Sequence, residues 1–190
     1  MKVVIIDYGA GNTRSVSLAL QRLGTEATLS SDAAEISSAD KVIFPGVGHA
    51  RPAMQALRDR GLDTVILQLK QPLLGICLGM QLLCAHSDEG DTRCLGVFDQ
   101  RVQVFPADLK VPHMGWNTAT AAAGNEVFPE GWYYFVHSYY VPVNTDTSLM
   151  CHYMHDFSAA MHRDNFYAAQ FHPEKSGAAG ELLLSQFLKL

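Results

Sequence analysis

The chain has 190 residues, a length that suits one domain with a sizeable core, expected to run over residues 1–190. Its 48% apolar content fits a soluble globular protein, and its formal net charge of −5, with no long basic run, argues against a nucleic-acid or anionic-membrane surface. No apolar stretch follows a basic start in the manner of a signal peptide and none is long enough to span a bilayer, so the expected location is the cytoplasm.

In chain order, Lys2-Val3-Val4-Ile5-Ile6-Asp7 is a β-branched run that reads as a strand. Residues 15–23 follow as a helix with Val16, Ala19, Leu20 and Leu23 on one face, stopped by Gly24. Strands are expected at 27–29 and 42–44, helices at 52–60 and 63–69, and then the strand that carries Cys77. This alternation implies an α/β fold with a mainly parallel, twisted sheet covered by helices on both faces. The middle of the chain differs. Residues 101–105, 132–137, 149–153 and 159–162 read as strands with no helices between them, an added antiparallel region. A last helix at 178–188 should bury Leu182, Leu183 and Phe187, with Leu184 a candidate for the same face.

Parallel α/β sheets place ligands at the carboxyl ends of their strands, so the turns at 8–12, at 45–48 and at Cys77 should share one edge. Gly9-Ala10-Gly11 fails as a dinucleotide fingerprint because the third glycine would fall at Arg14. The four cysteines, Cys77, Cys84, Cys94 and Cys151, form no Cys-x-x-Cys and are expected as reduced thiols. Cys151, His152 and His155 have a hint of metal-ligand character but lack a fourth group, so no metal and no cofactor is expected.

The segment Leu73-Leu74-Gly75-Ile76-Cys77-Leu78-Gly79-Met80-Gln81-Leu82-Leu83 carries the most chemistry. An apolar run breaks at a cysteine with glycine two residues to either side and resumes as a helical pattern. That is a nucleophile elbow with sulfur in place of oxygen, and a β-carbon at either glycine would collide with a neighbouring strand or helix. The free N–H groups of the following helix favour thiolate over thiol. A cysteine alone is more often packing material; the Gly-x-Cys-x-Gly frame reverses that reading.

A thiolate needs a base. In Gln170-Phe171-His172-Pro173-Glu174, Pro173 biases His172 to an extended backbone, so residues 172 and 174 should project to one side and Glu174 should orient the imidazole. The roles of nucleophile, base and orienter then fall to Cys77, His172 and Glu174. The 95 residues between Cys77 and His172 are no objection, because such triads are assembled in space. Two oxyanion donors are suggested: the N–H of Leu78, and an N–H from Gly46-Val47-Gly48, where glycine lets the backbone approach or rotate.

Together the two motifs resemble those of the class I, triad-type glutamine amidotransferases, over nearly the whole chain. Finer features are similar to the branch of that family that forms the glutaminase subunits of imidazole glycerol phosphate synthases: Asp7-Tyr8-Gly9-Ala10-Gly11-Asn12, Pro45-Gly46-Val47-Gly48, Val111-Pro112-His113-Met114-Gly115-Trp116-Asn117, Tyr133-Tyr134-Phe135-Val136-His137-Ser138-Tyr139, and Lys175-Ser176. Thr13 departs from the aliphatic residue usual after Asn12 and touches no assigned role. The resemblance implies a flavodoxin-like fold and hydrolysis of glutamine to glutamate and ammonia through a thioester on Cys77. It implies substrate contacts from Gly48, Gln81, Glu89, Ser138 and Tyr139; Gln81, one helical turn past Cys77, is also near it by spacing.

With no second catalytic unit read after the triad, a partner in trans is expected to use the ammonia. The resemblance makes it a (β/α)8-barrel cyclase of histidine biosynthesis in a heterodimer, with Asn12, Met114, Trp116, Tyr134 and Lys175 at or near the interface. Such a partner would switch the glutaminase on by reorienting the Gly46-Val47 peptide. The alternatives are a triad glutaminase serving anthranilate, guanylate or pyridoxal phosphate synthesis, and a non-catalytic binding or chaperone-like protein of the same fold.

Overall fold

All four residues of the first strand, β1 (Val3–Ile6), are buried, as expected of a strand covered on both faces. The computed structural model describes residues 1–106, 110–123, 125 and 127–190. Val4 and Ile6 face one side of the sheet with Val42 and Phe44, whereas Val3 and Ile5 face the other with Ile43, Leu74 and Ile76. Each such side chain contributes roughly 1.5–3 kcal/mol by leaving water.

The first half alternates strand and helix: α1 (Thr13–Arg22), β2 (Ala27–Ser30), α2 (Ala33–Ser37), β3 (Lys41–Gly46), α3 (Ala50–Asp59), α4 (Leu62–Gln68), β4 (Leu73–Cys77) and α5 (Leu78–Leu83). α1 begins earlier than expected because the Asn12 side chain accepts the N–H of Ser15 at 3.4 Å and caps it. It ends at Leu23–Gly24, where Gly24 takes the left-handed φ of +74° that glycine tolerates.

Short strands follow: β5 (Cys84–Ser87), β6 (Thr92–Arg93), β7 (Phe98–Val104), β8 (His113–Ala121), β9 (Gly131–His137), β10 (Tyr139–Tyr140), β11 (Thr147–Tyr153), β12 (His155–Arg163) and β13 (Phe166–Ala169). The chain closes with α6 (Gly177–Lys189). The main sheet has the order β2-β1-β3-β4-β13-β12-β11-β8-β9. It is parallel from β2 to β13 and antiparallel from β13 to β9. The added antiparallel region therefore continues the main sheet. A second sheet, β10-β7-β5-β6, contains one parallel pair, β5 with β7, inside a region expected to be antiparallel.

In α6 the expected core face is corrected. Leu182 is 50% exposed, and the buried stripe is Gly180, Leu183, Leu184 and Phe187. These follow the i, i+3, i+4, i+7 spacing of one helical face, which leaves Leu182 outside it. Among the described residues no helix is long and apolar enough to cross a membrane.

Candidate active site

Cys77 ends β4 and leads into α5 with φ 55° and ψ −110°, a conformation that costs an L-residue of order 1–3 kcal/mol. The flanking glycines make the corner possible. A β-carbon on Gly75 would stand 2.7 Å from Leu83 Cδ1, and one on Gly79 would run into the backbone oxygen of Phe44 in β3. The parallel register places Gly46 abreast of Cys77, and a β-carbon on Gly46 would lie 2.6 Å from the Gly79 nitrogen. The loop after β3 thus leaves the sheet against the corner, with Val47 and Gly48 exposed and Gly48 at φ +105°. α5 has six residues, so what it offers the sulfur is the free N–H groups of its first turn, Leu78 foremost. The loop at 8–12 meets the loop after β3, where the Tyr8 hydroxyl donates to the carbonyl of Pro45 at 3.1 Å.

β13 delivers the second half of the site, because Ala169 is abreast of Ile76. His172 is extended, with φ −100° and ψ 94°, as a residue before proline should be. The extended geometry does not continue to residue 174. Pro173–Lys175 is a single 3-10 turn, closed by the Lys175 N–H donating to the His172 carbonyl at 3.0 Å. That turn, and not strand alternation, folds the carboxylate back under the ring, leaving Glu174 Oε1 2.8 Å from His172 Nδ1. Ser176 locks the arrangement: its hydroxyl donates to the His172 carbonyl at 2.6 Å and accepts the Tyr134 N–H at 3.0 Å. The His172 N–H in turn donates to the Tyr134 carbonyl at 2.9 Å.

His172 Nε2 is buried without a hydrogen-bond partner, and His172 lines the same cleft as Cys77. Burial works against charge on the ring, but hydrogen bonding and the charges of Cys77 and Glu174 outweigh it and raise the His172 pKa to about 10.

Above the sulfur opens a cleft of about 320 Å³ lined by Val47, Gly48, Cys77, Leu78, Gln81, Glu89, Ser138, Tyr139 and His172. Gly46 and Glu174 stand behind this lining. Pro112, Val136 and His137 also line it and were not expected there; the Val136 carbonyl lies 4.0 Å from Cys77 Sγ. Glu89 is tied to the loop after β3 through α3, whose Ala50 N–H donates to its carboxylate at 2.7 Å.

A chain of hydrogen bonds runs behind the cleft. Gln81 Nε2 donates to the Tyr139 carbonyl at 3.1 Å and to Gln170 Oε1 at 2.9 Å, and Gln170 Nε2 lies 3.9 Å from Cys77 Sγ. The same Tyr139 carbonyl accepts from His137 Nδ1 at 2.7 Å, and His137 Nε2 pairs with His113 Nδ1 at 3.0 Å. Burial lowers the pKa of His113 to about 4 and that of His137 to about 3, so both rings are neutral. Sequence reasoning missed these partners. Gln170 and His113 were read only as parts of matched segments, although Gln170 alternates with His172 on one side of the chain and His137 with the buried Tyr133 and Phe135 of β9.

Of the expected interface residues, Met114 and Trp116 are 59% and 53% exposed on one face of β8. Trp116 pairs across the strands with Tyr134, rings edge-on at 6.2 Å, and Lys175 Nζ lies 5.9 Å from the Tyr134 ring centre. Asn12 is the cap of α1. The suspected Cys151, His152 and His155 group does not converge: Cys151 is buried, His152 pairs with Asp156 at 2.7 Å on the surface, and His155 packs on Tyr140 at 4.4 Å.

The family model described as glutamine amidotransferase class-I matches residues 4–190. The chain belongs to that family. Among its amidotransferase relatives is the imidazole glycerol phosphate synthase subunit HisH of Bacteroides fragilis (strain YCH46), 53% identical over 197 residues and covering 100% of both chains. The HisH subunits of Vibrio vulnificus (strain CMCP6) and Yersinia pestis are 47% and 48% identical, covering 100% of this chain and 98% and 100% of theirs. Two solved structures share the amidotransferase fold, each with a TM-score of 0.77. One, described as a glutamine amidotransferase, is 19% identical and is matched over 98% of this chain and 97% of its own. The other, PurLQS from Thermotoga maritima, is 17% identical over 99% of this chain and 97% of its own.

Proposed function

We propose that the chain is the glutaminase subunit of an imidazole glycerol phosphate synthase, acting in the cytoplasm without metal or cofactor. The observation that carries the reading is the meeting of a strained Cys77 with the His172–Glu174 pair at the floor of one cleft. Identity of 47–53% along the whole length of the HisH relatives supports the pathway.

Cys77 sulfur attacks the side-chain amide carbon of glutamine, and the carbonyl electron pair moves to oxygen. The N–H of Leu78 and one from Gly46-Val47-Gly48 receive that oxyanion, a contribution of about a hundredfold or more per donor. Collapse expels the amine as ammonia, protonated by His172 Nε2, and leaves a thioester. The neutral imidazole then takes a proton from water, hydroxide adds to the thioester, and sulfur departs to give glutamate. Glu174 holds the ring in the tautomer that keeps Nε2 toward the sulfur. Gln81, Glu89 and the backbone at Ser138 and Tyr139 line the part of the cleft that holds the amino-acid end of glutamine, with Gly48 beside them.

The ammonia passes to a (β/α)8-barrel cyclase docked as a heterodimer on the face bearing Met114, Trp116, Tyr134 and Lys175, with Asn12 at its margin. That face is continuous with the cleft, because Tyr134 and Val136 point to the same side of β9. Ammonia release is measured with and without the cyclase and its nucleotide ligand: strong stimulation, abolished by Cys77→Ala, is the expected result. Full glutamine-dependent synthesis by Cys77→Ala would refute the reading.

A further inference from the structure

We propose that Gln170 is a positioning residue for the nucleophile: its amide N–H₂ is held against Cys77 Sγ by a hydrogen-bond relay through Gln81, so that the direction and charge of the sulfur depend on it. The proposal rests on the glutaminase reading of the cleft and adds a residue to it.

Gln170 is fully buried. Its backbone N–H donates to the Ala159 carbonyl at 2.8 Å, which fixes the residue just past the end of β13, beside the β4 strand end that bears Cys77. A buried primary amide without partners costs about 1–3 kcal/mol, so its orientation is decided by its neighbours. Gln81 Nε2 has two protons and two acceptors, the Tyr139 carbonyl and Gln170 Oε1. Turning the Gln170 amide over would set its N–H₂ against that of Gln81, donor against donor, and would set its oxygen against the sulfur, a second repulsive contact whenever the sulfur is a thiolate. Only the orientation with Nε2 toward Cys77 satisfies both ends.

The far end of the relay is pinned in the same sense. His137 must donate from Nδ1 to the Tyr139 carbonyl, so its Nε2 accepts from His113 Nδ1, and His113 Nε2 accepts from Asn117 Nδ2 at 3.3 Å. Neither ring carries a second proton at neutral pH, which would break the pattern. The donor and acceptor roles are thus determined from β8 to the sulfur. With Nε2 at 3.9 Å, Gln170 offers a thiolate a weak donor in a dry setting, where such a contact is worth more than in water.

The test uses Gln170→Met, which keeps shape but has no donor, and Gln170→Glu, which keeps the acceptor for Gln81 but sets a carboxylate against the sulfur. Each is assayed in complex with the cyclase for kcat and KM, and alone for the rate of Cys77 alkylation by iodoacetamide at pH 7, with Cys77→Ala as the blank. Alkylation should fall about tenfold in Gln170→Met and further in Gln170→Glu, kcat should follow, and KM should stay within about threefold. Wild-type alkylation and kcat in either folded variant would overturn the proposal, and Gln170→Glu serves alone if the methionine variant does not fold. Alkylation does not require turnover, so a wild-type complex without glutaminase activity would sink the glutaminase reading while the alkylation comparison still judged Gln170.

Discussion

His172 and Glu174 form a hydrogen-bonded pair at 2.8 Å whose side chains are only 2% and 1% exposed, held by one 3-10 turn that Ser176 ties to β9. The carboxylate accepts from Nδ1 and so fixes which ring nitrogen faces the sulfur. In Glu174→Gln the amide can instead present an N–H to Nδ1, which favours the wrong tautomer. Cyclase-stimulated ammonia release should fall about 10²–10⁴-fold. An activity within threefold of wild type would remove Glu174 from the mechanism.

The corner at Cys77 depends on glycine for space. A β-carbon on Gly79 collides with backbone, the Phe44 carbonyl of β3, and not with a side chain that could swing away. Gly79→Ala should therefore destabilise the fold by about 2–4 kcal/mol, read as a lowered midpoint in urea. Gly24→Ala is the control: it has open space around it but a φ of +74°, so its cost should be nearer 1 kcal/mol.

Most of the parallel half of the fold was legible because its strands are short apolar or β-branched runs and its longer helices carry a clear apolar stripe, as in Val16, Ala19 and Leu20 of α1; α2, five residues long with only Ile36 buried, has no such stripe and was not read. Strands that carry function were harder to see. β8 reads His-Met-Gly-Trp-Asn-Thr-Ala-Thr-Ala, with most of its side chains at least partly exposed, so its apolar alternation is broken. β13 is four residues long and runs straight into the histidine motif, which drew the reading away from it. The positions of Cys77, His172 and Glu174 in the chain could be picked out from the glycine frame around the cysteine and the proline after the histidine read together, but the 3-10 turn that brings Glu174 to the ring could not. The relay from His113 to Gln170 could not, because it is made of pairings between residues as much as 89 apart that only the sheet order brings together.

Ser176 illustrates a positioning contact with no motif of its own. Removing its hydroxyl leaves the Tyr134 N–H and weakens the anchoring of the His172 carbonyl, both in the interior. Ser176→Ala should cost about 1–3 kcal/mol of stability and, by loosening the turn under the imidazole, lower kcat by about tenfold with little change in KM. Denaturant titration and steady-state kinetics on the same variant separate the two effects, and an unchanged kcat would show that the turn keeps its shape without the serine.

The histidines predict how stability varies with pH. His113 and His137 have folded-state pKa values lowered to about 4 and 3, below the ordinary value near 6.5 that applies when the chain is unfolded. Between those limits the unfolded chain binds protons that the folded one refuses, so stability falls as pH drops below about 6.5. His172 acts in the opposite sense. Its pKa is raised to about 10, so its contribution is complete below about 6.5 and is lost as pH climbs from there toward 10. Each limb has a slope of at most ~1.4 kcal/mol per pH unit for each group. Urea unfolding of the wild type between pH 4.5 and 9.5 should therefore show a maximum near neutrality. Cys77→Ala removes one of the two neighbours that raise the His172 pKa, Glu174 being the other, and it should shorten the alkaline limb while leaving the acid limb in place. An alkaline limb that Cys77→Ala leaves unchanged would mean that sulfur and imidazole do not act on each other in the folded protein.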